Sequence, residues 1–382
     1  MKATVGHLKI NYLALTETFI YAYLMNARRF DPLVLTDVAC NLSLFPIACS
    51  YLITQKEIEE LRRSMGARSV PFLRVFMDTL DYPNCFERFI REQGIGLLHA
   101  HFGVAGCRAV RLKRRVGIPL VTTFYGVDAS RHLRAPEKQE ALRRLFREGD
   151  LFLALGGDMV GRLRAAGCPE EKIRIQRLGV DVEQIAFRPR QWPEDDRRVV
   201  LLYCGRLVEK KGILYALEAF ARLADRWKNL EFRIVGGGLL RPAVERAVRR
   251  MNLQDRVVLR GVLPHAEALK EMQNAHLFVL PSLTAPDGDM EGTPTVLLEA
   301  QASGMPVVST YHADIPEVVL DGETGFLAPE RDSRVLADRL SYLLENPDRW
   351  PEIGLAGRRH IERRYNIHRE VQNLEKTYAD LL

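Results

Sequence analysis

Two glutamates eight positions apart, Glu291 and Glu299, bracket a Gly-Thr-Pro turn in the stretch GDMEGTPTVLLEA, residues 288–300. The run before it, HLFVLPS (276–282), reads as a buried strand, and TVLLEAQASG reads as a helix ending at Gly304. Thr293 suits the N-cap and Pro294 the first helical position, which leaves Glu291 in the loop. Glu299 then lies roughly 7–8 Å further along the helix axis. Between the carboxylates, free backbone N–H groups and the positive helix end make an anion site. Such a site holds a phosphate while carboxylates accept hydrogen bonds from sugar hydroxyls. On these residues alone, a capping loop with a surface glutamate is an equally open reading.

A second stretch, YCGRLVEKKG (203–212), follows a strand and precedes a helix. Arg206 and Lys211 flank that connection. Two cations there would neutralise a diphosphate and stabilise it as a leaving group, whose charge grows as its bond breaks. IVGGGLLRP (234–242) offers Gly236 to Gly238 where backbone could approach a nucleotide. It matches the dinucleotide glycine pattern only in part, because Arg241 occupies the last position.

These residues need a scaffold, and the chain supplies one twice. Short apolar runs at 32–36, 96–102, 119–126 and 150–155 alternate with amphipathic segments. The alternation resumes at 199–205, 230–238, 256–262, 276–282 and 305–310, with a helical segment such as 212–227 between runs. This pattern predicts two doubly wound α/β domains with parallel sheets, facing a central cleft at the strands' carboxyl ends. The seam is the polar FRPRQWPEDDRR, residues 187–198, and 347–382 is helical in pattern. At 382 residues and 47% hydrophobic content the chain holds two cores comfortably. No run reaches the ~20 apolar residues of a membrane span, and the N-terminus lacks a signal-peptide pattern. The six cysteines (40, 49, 85, 107, 168 and 204) show no metal or C-x-x-C spacing and read as reduced thiols, which predicts a cytoplasmic protein. The net charge of +6 is uneven: residues 1–190 carry 29 basic against 20 acidic side chains. That surplus suits an anionic membrane surface or a lipid-phosphate acceptor as well as ordinary solvated helix faces. No nucleic-acid-binding motif accompanies it.

Taken in order, GRLVEKKG, IVGGG, VVLRGVLP, EGTPTVLLEA and DGETGFLAP resemble the retaining glycosyltransferases of family 4, which have the GT-B architecture. The resemblance covers nearly the whole chain and is most specific over 199–330; the Glu291-to-Glu299 spacing is its strongest match. Upstream, LTETFIYAYL (15–24), HAHFG (99–103), TTFYGVD (122–128) and RLGVDVEQIAF (177–187) are similar to members that build bacterial exopolysaccharide or cell-surface glycans. The resemblance implies an acceptor-binding Rossmann-like domain at 1–190, a donor-binding one at 191–364 and a helix at 365–382 crossing back to the first. It implies that Arg206 and Lys211 contact the donor diphosphate, Glu299 the ribose and Glu291 the donor sugar. The N–H groups of Gly292, Thr293, Thr295 and Val296 would meet sugar and phosphate, Val262 the base, and Gly236 and Gly238 the nucleotide.

The implied reaction moves a sugar from a nucleotide-sugar to an acceptor hydroxyl of a glycan or lipid-linked acceptor, with retention and without metal or cofactor. The protein would work in the cytoplasm, at the inner membrane face. DGD (287–289) has donor-metal spacing but reads as a solvated turn. Three departures stand out. Tyr125 occupies a position the family often fills with histidine, leaving His101 and His99 as nearby candidates. Asp314 stands where relatives favour glycine. The opening VGHLKINYLALTETF departs from the usual first strand and its glycine-rich loop. Other readings are a nucleotide-sugar epimerase and a degenerate transferase serving as a scaffold.

Overall fold

The structure, a computed structural model, describes residues 2–47, 50–52, 84–194 and 198–382; Cys49 and residues 195–197 of the polar seam lie outside it. The chain divides into two compact units, Met1–Gln176 with His368–Leu382, and Arg177–Ile367.

Among the described residues, the first unit is built on a seven-stranded sheet of order β3-β2-β1-β4-β5-β6-β7. Its strands are β1 (Ala3–Tyr12), β2 (Phe30–Ala39), β3 (Ser50–Leu52), β4 (Ile95–His101), β5 (Leu120–Thr123), β6 (Leu151–Ala154) and β7 (Ile173–Ile175). All neighbours pair in parallel. The opening stretch therefore does form a first strand, and a central one. Its buried run carries His7 and Lys9, polar residues that mask the apolar pattern of a parallel strand.

The second unit has a six-stranded sheet of order β10-β9-β8-β11-β12-β13. The strands are β8 (Val199–Cys204), β9 (Leu230–Val235), β10 (Val257–Gly261), β11 (Leu277–Val279), β12 (Val307–Thr310) and β13 (Gly325–Ala328), again all parallel. In each sheet the strand order reverses once, between β1 and β4 and between β8 and β11. At such a switch point the loops diverge to opposite faces and leave room beyond the strands' carboxyl ends.

Segment 177–190, which the seam at 187–198 would leave with the first domain, belongs to the second unit. Val180 exchanges backbone hydrogen bonds with Tyr365 and Ile367 (2.8 and 3.0 Å). The buried Arg190 guanidinium donates to the carbonyls of Met272 (2.8 Å), Ala275 (2.7 Å) and Ser303 (3.2 Å). It thereby caps the C-terminal ends of two helices, His265–Asn274 and Thr295–Ala302.

Residues 368–382 are tied into the first unit. Tyr378 Oη lies 2.5 Å from His99 Nδ1, and Glu375 Oε1 accepts from the amides of Arg28 and Arg29 (2.7 and 2.5 Å). Gln176 Nε2 donates to the Glu370 carboxylate at 2.9 Å. Replacing Tyr378 by Phe strands a buried imidazole nitrogen, so urea denaturation is expected to show a loss of about 1–3 kcal/mol; an unchanged midpoint would mean that this bond carries no stability.

Candidate active site

The residues singled out in the second unit gather at the β8/β11 switch point. The loop after β8 carries Arg206 and Lys211, and the loop after β11 carries Glu291 and leads into the helix Thr295–Ala302 with Glu299. The loops touch at Gly212, whose φ is +64° and where an added Cβ would meet the Pro281 carbonyl oxygen at 1.9 Å. No L side chain fits there.

Lys211 Nζ lies 3.1 Å from Glu291 Oε1, and both side chains are nearly buried. Burial works to raise the Glu291 pKa, but the ammonium groups of Lys211 and then Lys210 outweigh it and hold the carboxylate below its ordinary range. Burial also pulls Lys211 below the usual lysine value, against the attraction of Glu291. Arg206, by contrast, is exposed. Its charge reaches Lys211, so both predicted cations act on one neighbourhood.

Three residues that the sequence reading passed over hold the Glu291 loop. Lys210 binds Asp289 (3.0 Å) and the Met290 carbonyl (3.1 Å). Asp289 is therefore an anchor rather than part of a solvated turn. His312 Nε2 accepts from the Glu291 amide at 3.0 Å while its Nδ1 meets Glu330 at 2.6 Å. The turn after β12 takes its left-handed residue at Ala313 (φ +47°), so Asp314 stays at φ −83° and the turn closes without a glycine there.

The following helix begins one position later than its sequence suggests. Pro294 is the N-cap, extended at ψ 107°, and among the described residues no side chain closes the end. Among the described residues, the amides of Gly292, Thr293, Thr295 and Val296 take no acceptor. They form an open set of donors beside Glu291. Glu299, 8% exposed, accepts from His265 Nε2 at 2.7 Å. That bond, opposed by burial and aided by the carboxylate's charge, raises the His265 pKa. Cys204, at the end of β8, is pushed up to about 12 by burial and then by the charge of Glu299.

Gly236 and Gly238 have a structural duty of their own. A Cβ on Gly236 (φ +138°) would stand 1.9 Å from the Gly205 carbonyl oxygen, and Gly238 lies against the Leu207 backbone. These glycines press the β9 loop onto the basic loop. Val262 and Leu239 beside them leave their side chains 68% and 91% exposed, and a Cβ on Gly237 would touch Val262.

The first unit holds the other two candidates. His99 and His101 share one face of β4, and the parallel register sets His7 opposite His99. His101 Nε2 lies 3.1 Å from His7 Nδ1, His101 Nδ1 2.6 Å from Tyr125 Oη, and His99 Nε2 2.7 Å from Thr123 Oγ1. The three rings bring ligand atoms within 4.8 Å of one another, but their nitrogens are largely engaged by hydroxyls and by each other. Tyr125 is buried with its hydroxyl on His101, and burial raises its pKa well above the usual value, so it stays protonated. Asp128 fixes this corner by accepting from the amides of Gly103 (2.9 Å), Tyr125 (3.0 Å) and Gly126 (3.0 Å). Lys9 and Glu17, a nearly buried pair at 3.1 Å, lie alongside, with the Lys9 ammonium 4.4 Å from the Phe102 ring centre.

Two doubly wound parallel sheets, the second carrying a basic loop and an open helix end at its switch point, define a two-domain α/β protein of the GT-B type. Residues 48–184 match the family described as Glycosyltransferase Family 4, and residues 198–346 match Glycosyl transferases group 1. WcaL of Escherichia coli, ascribed to colanic acid biosynthesis, is 37% identical over 282 residues, 72% of this chain and 69% of WcaL. AmsK of Erwinia amylovora, an amylovoran biosynthesis glycosyltransferase, is 37% identical over 270 residues, 70% of this chain and 66% of AmsK. The fold of Anabaena HepE, solved with UDP-glucose, superposes with a TM-score of 0.77 over 99% of this chain and 100% of HepE, at 19% identity. The chain belongs to the family 4 glycosyltransferases.

Burial lowers the pKa of His7 to about 3 and of His99 and His101 well below the ordinary value. Each stays neutral in the folded protein while the unfolded chain takes up a proton near pH 6.5. Their contribution is complete above that value and declines as pH falls toward the folded pKa, by up to about 1.4 kcal/mol per pH unit per histidine. Urea midpoints are expected to drop between pH 7 and pH 5.5, with the His7 ring neutral by NMR at pH 5; a His7 titrating near 6.5 would contradict the burial argument.

Proposed function

We propose that the protein transfers a hexose from a UDP-sugar to an acceptor hydroxyl of a growing cell-surface polysaccharide, with retention at the anomeric carbon. The observation that carries this reading is the arrangement at the β8/β11 switch point. An exposed guanidinium, a buried ammonium–carboxylate pair and helix amides that take no acceptor among the described residues lie together there. A diphosphate matches this set, and its neighbours on either side would be a sugar near Glu291 and a ribose near Glu299. Val262 and Leu239 offer apolar surface for the base. The choice of uridine is supported by HepE, solved with UDP-glucose; another relative, from Mycolicibacterium smegmatis, 30% identical, is described as GDP-mannose-dependent. The polysaccharide assignment is supported by WcaL and AmsK.

In the proposed reaction the bond from the anomeric carbon to the β-phosphate oxygen breaks, and its electron pair leaves with UDP. The acceptor oxygen forms the new bond on the same face, and its proton passes to a phosphate oxygen. Arg206 and Lys211 stabilise the charge that builds on the departing diphosphate, and Glu291 orients the sugar. Tyr125 and His101 belong to the acceptor-side unit, where Tyr125 replaces an imidazole with a hydroxyl that His101 fixes in direction. The acceptor is a glycan or lipid-linked glycan, and catalysis proceeds without a metal ion, in the cytoplasm at the membrane face. Among the described residues no helix is long and apolar enough to cross a membrane. The basic surplus of residues 1–190 supports contact with anionic lipid.

Thermal stabilisation by a panel of UDP-, GDP- and ADP-sugars identifies the donor, because a ligand of the native state raises its melting temperature. UDP-sugars are expected to give the largest shift, and a shift confined to GDP-sugars would correct the base. Arg206→Ala is the clean test of leaving-group stabilisation, since Arg206 is exposed. Turnover is expected to fall about 100-fold or more with an unchanged melting temperature. Lys211→Ala should lose activity too, but it also leaves Glu291 buried without its partner and is expected to melt earlier. Full turnover by Arg206→Ala would dismiss its assigned role.

A further inference from the structure

We propose that His265 is a positioning residue for nucleotide recognition: it fixes the Glu299 carboxylate so that one oxygen is presented to the ribose hydroxyls. The proposal rests on the reading of Glu299 as the ribose contact and assigns that contact a partner from a different helix.

The geometry is specific. Glu299 sits on the fifth residue of the helix Thr295–Ala302, and His265 opens the helix His265–Asn274 directly after the N-cap Pro264. The imidazole Nε2 lies 2.7 Å from Glu299 Oε1, and among the described residues no donor reaches Oε2. One carboxylate oxygen is thus occupied and the other is left for a ligand. A carboxylate alone would rotate about its last torsion and would lose that freedom on binding a diol. A carboxylate already held by an imidazole has given it up beforehand.

Both helices are also held at their far ends by one group. Arg190 binds the carbonyls of Met272 and Ala275 after the first helix and that of Ser303 after the second. The His265–Glu299 bond closes the other end of this pair. Glu271, another acid on the His265 helix, does not compete for the imidazole, because Arg260 holds it at 2.7 Å and Arg233 lies 3.5 Å away. His265 is half exposed, so its role is not to fill the core, and its loss leaves the packing intact.

The arrangement predicts a signature that a structural role would not give. Because the imidazole acts through the ribose contact, its removal should erode discrimination for the hydroxyls rather than weaken all nucleotides alike. The experiment is calorimetric titration of the full chain with UDP and GDP, each beside its 2′,3′-dideoxy analogue, for wild type, His265→Ala, His265→Gln and Glu299→Gln. For whichever nucleotide binds, His265→Ala is expected to reduce the ribo-over-dideoxy preference about five- to tenfold, the scale of one ordinary net hydrogen bond. His265→Gln, whose amide can donate from a similar position, should restore much of it. Donor KM should rise in His265→Ala with kcat within about twofold, since binding energy common to ground and transition states is lost. If Glu299→Gln abolishes the preference while His265→Ala keeps it, the proposal is overturned and the ribose reading stands. If Glu299→Gln keeps the full preference, the ribose reading fails and the proposal falls with it.

Discussion

A buried ammonium–carboxylate pair, Lys211 with Glu291, is the constraint around which the second unit is arranged. Taking two charges out of water costs several kcal/mol per ion, and their attraction offsets this only when geometry and further bonds hold them in place. The surrounding residues meet that requirement. Lys210 fastens the loop through Asp289, His312 fastens the Glu291 amide, and Glu330 fastens His312. The pair has no net charge at rest, yet each member is a strong hydrogen-bonding group beside open helix amides. Arg206, outside the pair, is exposed. The loops thus combine fixed, buried groups with one exposed guanidinium.

Much of this was legible in the sequence because the chemistry-bearing residues lie in short loops between strong strand and helix patterns. Arg206, Lys211, Glu291 and Glu299 could be placed from the turn and helix signals around them. The sequence misled where polar residues served structure. His7 and Lys9 hid a central strand, and their partners, His101 and Glu17, lie 94 and 8 positions away. Gly236 and Gly238 also have the backbones of Gly205 and Leu207 as neighbours, which the sequence alone did not reveal. Proline at the helix start shifted the boundary by one residue, because Pro294 adopts an extended ψ that only a cap position allows. His265, His312 and Lys210 carry no motif; only tertiary contacts give them meaning.

Tyr125 is set among chemistry already present nearby. The phenol reaches His101, which reaches His7, so hydroxyl and imidazoles form one chain of hydrogen bonds. Burial keeps the phenol protonated and the imidazoles neutral across the physiological range. Such a corner is rigid in both orientation and charge. Asp128 adds to this by holding the amides of Gly103, Tyr125 and Gly126 from one carboxylate.

The discontinuous make-up of the first unit imposes an order on biosynthesis. Ribosomes deliver the chain from its N-terminus, and residues 368–382, with Tyr378 and Glu375, leave after all of Arg177–Ile367. The earlier-made sheet must wait with His99 Nδ1 and the Arg28–Arg29 amides unpartnered, while the later-made unit is contiguous and can close first. Nascent-chain quality control therefore meets an unfinished front half for the longer time.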